Sequence, residues 1–256
     1  QTQNGVLAAF TKRLSSLLVV ATVILTAASA ATLLARRHWL ADICANLRMQ
    51  WAIGLLLVGL LCVLLGKWKL LSVTMLLLAF HSPWFVTAFL SRGAVSGTPF
   101  ITVATANVLS RNQRHDEIES QLLNSNADIV AILELSTPLR DHLQGEFAKR
   151  YPHSRELPDD LGNFGIGLYS RIPFESAKID YFNDERISSI VAQLASDGRD
   201  VIVIATHTLP PMGPGSFAHR NRHLQLLADR VRKLRQAEPD VPVVVVGDLN
   251  LTPWSP

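Results

Sequence analysis

Between Leu14 and Leu90 the chain carries one acid, Asp42, set among three uncharged apolar runs: 14–35, 51–66 and 70–90. A helix needs roughly 20 apolar residues to cross a hydrocarbon core about 30 Å thick. The first run has that length. The second is shorter but very apolar. The third is interrupted by His81 and Pro83, so its last turn is expected to bend or to lie at an interface. Trp39, Trp51, Trp68 and Trp84 fall near the ends of the runs, as an aromatic belt would. A cleaved signal peptide has one short apolar core and one cleavage site, which three successive runs do not fit. Residues 1–90 therefore read as a membrane region of about three transmembrane helices. Charge leaves the orientation open: Lys12, Arg13, Lys67 and Lys69 would share one side, Arg36, Arg37, Arg48 and Arg92 the other.

Residues 91–99, "SRGAVSGTP", are small, polar and rich in Gly and Pro, and read as a linker. From residue 100 the composition is that of a soluble α/β domain. The net charge of +3 follows from the basic flanks of the apolar runs and argues only weakly for nucleic acid. Cys44 and Cys62 both precede the linker, so no disulfide framework holds the second part together. The chain opens on Gln1 rather than Met, as a processed or partial end does.

In residues 100–256 strands and helices alternate. "FITVATANV" (100–108), "DIVAILEL" (128–135), "FGIGLYS" (164–170) and "VPVVVVGDLN" (241–250) read as strands, and "ISSIVAQLA" with "RDVIVIATH" as a hairpin turning at Asp197-Gly198. Helical spacing marks 115–126 and 217–236. Such an order gives a sheet core covered by helices. Several apolar runs then end on a polar residue: Asn107, Glu134, His207, and Asp248 with Asn250. Burying such groups costs several kcal/mol unless they are paired or hold a ligand, so a shared site is expected. Glu134 offers hard oxygen to Mg²⁺ or Mn²⁺. An Asp can orient and deprotonate water, and an imidazolium with an amide can stabilise charge on a phosphoryl group. The set suits metal-assisted hydrolysis of a phosphate ester. Taken singly, each of these residues could instead be a turn residue, a helix-start charge or a satisfied core histidine. His219 and His223 stand four apart, a spacing that can hold a metal; with Arg220 and Arg222 between them they read as a solvated basic face.

With those residues in place the sequence from about Thr98 to Pro256 resembles the endonuclease/exonuclease/phosphatase superfamily, in its membrane-anchored bacterial branch. "ITVATANVLSRN" resembles the opening strand with its Asn, here Asn107. "ADIVAILEL" resembles the strand that presents the metal-binding Glu, here Glu134, with Leu133 where Gln is more usual. "FGIGLYSRIPF" resembles the Gly-x-x-x-x-Ser-Arg segment, Gly165 to Arg171. "VIVIATHTLPP" resembles the strand bearing the active-site histidine, His207. "NRHLQLLADRV" resembles the Arg-x-x-Gln helix, with Arg222 and Gln225, and "VPVVVVGDLNLTP" the Gly-Asp-x-Asn motif.

The resemblance implies a four-layer α/β/β/α sandwich, incomplete here, and a phosphohydrolase using Mg²⁺ or Mn²⁺. It implies that Glu134 and Asn107 serve the metal, that Asn107, His207 and Asn250 contact the substrate, and that Asp248 activates water with Asn250 in support. Members of the superfamily continue past Gly-Asp-x-Asn to a closing Asp-His pair. A chain ending at Pro256 lacks that pair, and on this ground little hydrolysis is expected from it alone. The implied substrate is a phosphate ester: nucleic acid, a phospholipid headgroup or an inositol phosphate. The remaining implied partner is the lipid bilayer, with no protein partner expected. The branch implies a multi-pass protein of the cytoplasmic membrane with its domain outside. The competing reading is a non-catalytic membrane protein that uses a truncated or decayed hydrolase domain for binding. A transporter is disfavoured because the apolar runs hold few charges for a pathway.

Overall fold

The computed structural model describes residues 2–90, 100–182, 187–196 and 198–255. The linker expected at 91–99 lies outside the described residues, as does Asp197 of the expected hairpin turn. By its contacts the chain forms two units, residues 1–95 with 211–217 and 251–256, and residues 96–210 with 218–250.

The first unit is helical: α1 (Thr2–Ala31), a 3-10 turn (Thr32–Leu34), α2 (Trp39–Asn46), α3 (Arg48–Leu64) and α4 (Trp68–Leu90). Two stretches, Ala9–Leu34 and Trp68–Leu90, are long and apolar enough to cross a membrane. The run expected at 51–66 falls in α3, which reaches spanning length only together with α2, across a bend of 62°. The helix α4 runs through Pro83 to Leu90. Proline removes the N–H that the carbonyl four residues back would receive. Here that carbonyl, of Ala79, accepts instead from the Ser82 hydroxyl at 2.9 Å.

Packing in this unit is reversed relative to a water-soluble bundle. Val20, Ile24, Leu57, Leu60 and Leu76 are exposed, whereas Thr22, Ser29, Arg48, Thr74 and His81 are buried. Arg48, counted from the sequence among the flanking charges, lies inside. Its Cζ sits 3.8 Å from the Trp84 ring centroid. Its Nη1 lies 3.3 Å from His81 Nδ1, and His81 Nε2 lies 2.9 Å from Ser29 Oγ. One polar chain thus ties α1, α3 and α4, the use to which helices without a solvent-driven core put polar side chains.

The second unit has two four-stranded sheets. The first is ordered β1 (Val103–Asn107), β2 (Ile129–Leu133), β4 (Ile166–Ser170), β3 (His153–Leu157). The second is ordered β5 (Phe174–Asp180), β6 (Ser189–Ser196), β7 (Arg199–His207), β8 (Val243–Asp248). The pairs β1–β2 and β7–β8 are parallel and the others antiparallel.

Strand side chains alternate between faces, and the alternation sorts the core into layers. Ile129, Ala131 and Leu133 of β2 meet Val201, Val203 and Ala205 of β7 between the sheets. Val130 and Ile132 face the other way, against Ile118 and Leu122 of α5 (His115–Asn124), Leu139 of α6 (Thr137–His142) and Phe147 of α7 (Glu146–Arg150). Ile202 and Ile204 pack on Leu227, Val231 and Leu234 of α8 (Pro214–Ala237). The layers run α/β/β/α, as expected. Strands β3 and β5, not read from the sequence, stand at sheet edges and carry polar residues that weaken the apolar signal.

Candidate active site

Because β1 and β2 are parallel, they end together, with Asn107 opposite Leu133; β7 and β8 do the same, with His207 opposite Asp248. Val103 of β1, Val201, Val203 and Ala205 of β7, and Val244 and Val246 of β8 lie in the core between the sheets. Counting on in twos along each strand, Asn107, His207 and Asp248 continue that inward face. They therefore project into the mouth of the sandwich, where the sheets stop covering each other.

Glu134 does not follow this rule. It comes one residue after the inward-facing Leu133, so an extended backbone would send it towards the helices. Its φ is +60°, a left-handed conformation that costs a non-glycine residue about 1–2 kcal/mol. That turn brings the carboxylate back to the mouth. There Oε1 accepts from Asn107 Nδ2 at 2.9 Å and Oε2 from Ser110 N at 3.2 Å. Glu134 is 8% exposed.

The same Asn107 Nδ2 donates to Asp248 Oδ2 at 3.3 Å, so one amide joins carboxylates from the two sheets. Asp248 Oδ1 accepts from the Asn250 backbone N–H at 2.9 Å. Asn250, at φ +49°, donates its side-chain amide to Thr208 O at 2.7 Å. Gly247 is required by the close approach of β8 to β7: at φ +139° a Cβ there would sit 1.8 Å from Thr206 O. Gly165 has a matching role in the first sheet, where a Cβ would meet Leu135 O at 2.0 Å.

His207 is 4% exposed, and its ring lies 5.3 Å from that of Phe164. Burial lowers its pKa, against the pull of Asp248 and Glu134. Burial thus works against the imidazolium considered from the sequence. Its Nδ1 is buried without a hydrogen-bond partner among the described residues. Asn107, Glu134, His207, Asp248 and Asn250 all line one cavity of about 410 Å³.

These residues fit a Mg²⁺ or Mn²⁺ ion by their chemistry. Such ions take one or two carboxylates and keep waters and phosphate oxygens as their other ligands. Two carboxylates bridged by an amide, beside open space, supply that set. Among the described residues no group of three or more His, Cys, Asp or Glu gathers as a metal cluster.

The sequence reading missed Ser110, which backs Glu134, and misplaced the basic face of α8. Arg220 and His223 are buried, and Arg220 donates to Asn250 O at 3.2 Å. His223 Nε2 lies 2.9 Å from Thr206 Oγ1, which lies 2.7 Å from Ser189 Oγ. Arg222 is exposed and donates to Gln225. Arg171 reaches Asn126 and Asp128, where it ties loops together.

The model of the Endonuclease/Exonuclease/phosphatase family matches residues 104–256. No curated protein matches the chain. Among solved structures, a humanised D. rerio TDP2 carrying 14 mutations is similar with 22% identity and a TM-score of 0.50 over 59% of this chain and 67% of its own. TDP2 from C. elegans is similar with 17% identity and a TM-score of 0.51 over 67% of this chain and 58% of its own. Sphingomyelinase C from Streptomyces griseocarneus is similar with 19% identity and a TM-score of 0.51 over 60% of this chain and 65% of its own. At these identities the likeness is one of fold. The chain spans about three-fifths of the length of these structures.

Proposed function

We propose a function from one fixed premise: the chain belongs to the endonuclease/exonuclease/phosphatase family. It is a membrane-anchored, divalent-metal-dependent hydrolase of phosphate esters. The observation that carries this reading is the convergence of Asn107, Glu134, His207 and Asp248 on one cavity from the ends of two parallel strand pairs.

Glu134 would be the chief ligand of the metal, with Asn107, whose side-chain amide donates to its carboxylate, beside it. A bound Mg²⁺ or Mn²⁺ supplies charge neutralisation at the phosphoryl oxygens. His207, which lines the cavity, is the side chain placed to contact a phosphoryl oxygen of the substrate. Asp248 orients the attacking water and takes its proton. Asn250 holds the Asp248 loop through Thr208 O and its own N–H.

The apolar exterior and polar interior of the helical unit support anchoring in a bilayer. Two helices supply spans, and α2 with α3 supplies a third as one bent span. Burial of Arg48 takes it out of the flanking charges, leaving Lys12, Arg13, Lys67 and Lys69 against Arg36, Arg37 and Arg92. That favours an N-terminus inside and the sandwich on the extracytoplasmic side.

Mn²⁺ titration followed by electron paramagnetic resonance tests the metal reading. Saturable binding is expected, weakened at least tenfold in Glu134→Gln. Binding that ignores Glu134→Gln overturns it.

A further inference from the structure

Beside the polar cavity lies a larger one of about 600 Å³, and the two share Gly162, Phe164 and Leu209 in their walls. The second cavity is apolar in character, formed by Leu157, Leu161, Phe164, Tyr181, Ile187 and Leu209. Leu161 stands at 103% exposure, and Tyr181 is also exposed. The backbone holds Leu161 outward by design of its turn: Asp159 Oδ1 accepts from both Leu161 N and Gly162 N at 3.0 Å. Leu161 and Tyr181 thus add exposed apolar surface to a cavity already walled by Leu157, Phe164, Ile187 and Leu209, and a contiguous apolar surface of this kind fits an apolar ligand.

Charge narrows the partner further. Among the described residues lining either cavity there is no Lys or Arg, and the charged side chains are Glu134, Asp159 and Asp248. A nucleic acid strand or an inositol polyphosphate brings several phosphates, each of which needs a cation to offset its desolvation. A substrate with one phosphodiester and an apolar body does not.

We propose that the 600 Å³ groove is a subsite for the apolar half of a phospholipid whose phosphodiester occupies the Glu134–His207–Asp248 cavity. The inference rests on the phosphohydrolase reading and adds its substrate class. A chain that also carries lipid-facing helices would meet such a substrate in its own membrane.

The test uses protein expressed from its complete reading frame and held in amphipol. Dihexanoylphosphatidylcholine, below its micelle concentration, is compared with glycerophosphocholine, which has the same headgroup and diester without acyl chains. Binding is read by calorimetry without metal, and Mn²⁺-dependent hydrolysis is read separately. The acylated ligand is expected to bind at least tenfold more tightly, and Leu161→Asp and Tyr181→Ser are each expected to cut that preference at least threefold. Equal binding of the two ligands, or a preference that both variants leave intact, overturns the groove, even where hydrolysis proceeds. A single-stranded oligonucleotide hydrolysed with higher kcat/KM than the lipid also overturns it. Loss of all diester hydrolysis with the binding preference intact overturns the hydrolase reading and leaves the groove standing.

Discussion

The two sheets deliver their carboxylates to the same cavity by different means. In the second sheet Asp248 stands two residues beyond the inward Val246, across Gly247 at φ +139°. In the first sheet Glu134 arrives out of step and needs a left-handed backbone to reach the mouth. Position in the sheet differs as well. Strand β2 is central and buried at all five residues, whereas β8 is half-buried throughout. Glu134 thus follows a fully buried strand and Asp248 a half-buried one. Local strain is tolerated where the surroundings fix the backbone, and β2 is buried along its whole length.

The largest effect belongs to Asp248. Asp248→Asn keeps the hydrogen-bonding shape but loses the base, and hydrolysis of a small phosphodiester by the protein from its complete reading frame should fall about 10²–10⁴-fold. Its Mn²⁺ affinity should fall less than that of Glu134→Gln. A reversed order in the titration breaks the assignment. Next come the two glycines that let a carbonyl approach at the site end of each sheet. Gly247→Ala meets both a carbonyl and a positive φ, and should cost about 3 kcal/mol. Gly165→Ala meets the carbonyl alone and should cost about 2 kcal/mol. Urea unfolding of each variant ranks them, and equal losses would mean that conformation adds nothing in the second sheet.

A smaller effect sharpens the view of what backs the second sheet. Burial, with His219 and His207 nearby, pushes the His223 pKa down to about 4, against the pull of Asp180. The unfolded histidine titrates near 6.5. The folded form resists the proton, so stability is intact above pH 6.5 and declines as pH falls towards 4. With allowance for solvent screening the loss is about 1–2 kcal/mol. His223→Gln should flatten the thermal-melting profile across that window relative to the wild type. Least of all, Arg222→Ala on the exposed face of α8 should change stability by less than about 0.5 kcal/mol.

Strand ends were the most legible part of this chain. Long valine and isoleucine runs mark buried strands, and the polar residue that halts each run marks where burial stops. That is why Asn107, Glu134, His207, Asp248 and Asn250 could all be named, and why they meet. The edge strands His153–Leu157 and Phe174–Asp180 were hidden because an edge tolerates polar residues on both faces. Helix α8 misled for a different reason. Arg220 and His223 look solvated by type, but which stripe of a helix is covered depends on the sheet beneath it. Thr206 and Asn250 supply the partners that make burial tolerable there. Arg48 was misread in the same way, since only the meeting of three helices provides Trp84 and His81 to receive it.

The hydrogen bond from Asn107 to Asp248 joins residues 141 positions apart. Closing so distant a contact is slow, because chain entropy must be lost before the contact rewards it. On a ribosome adding roughly 5–20 residues per second, that interval lasts on the order of ten seconds. Through it the emerging protein holds an amide and one carboxylate with no partner from the second sheet. The contact between the two sheets is therefore the last thing this stretch of chain acquires, and its closure is a signal that both sheets have docked.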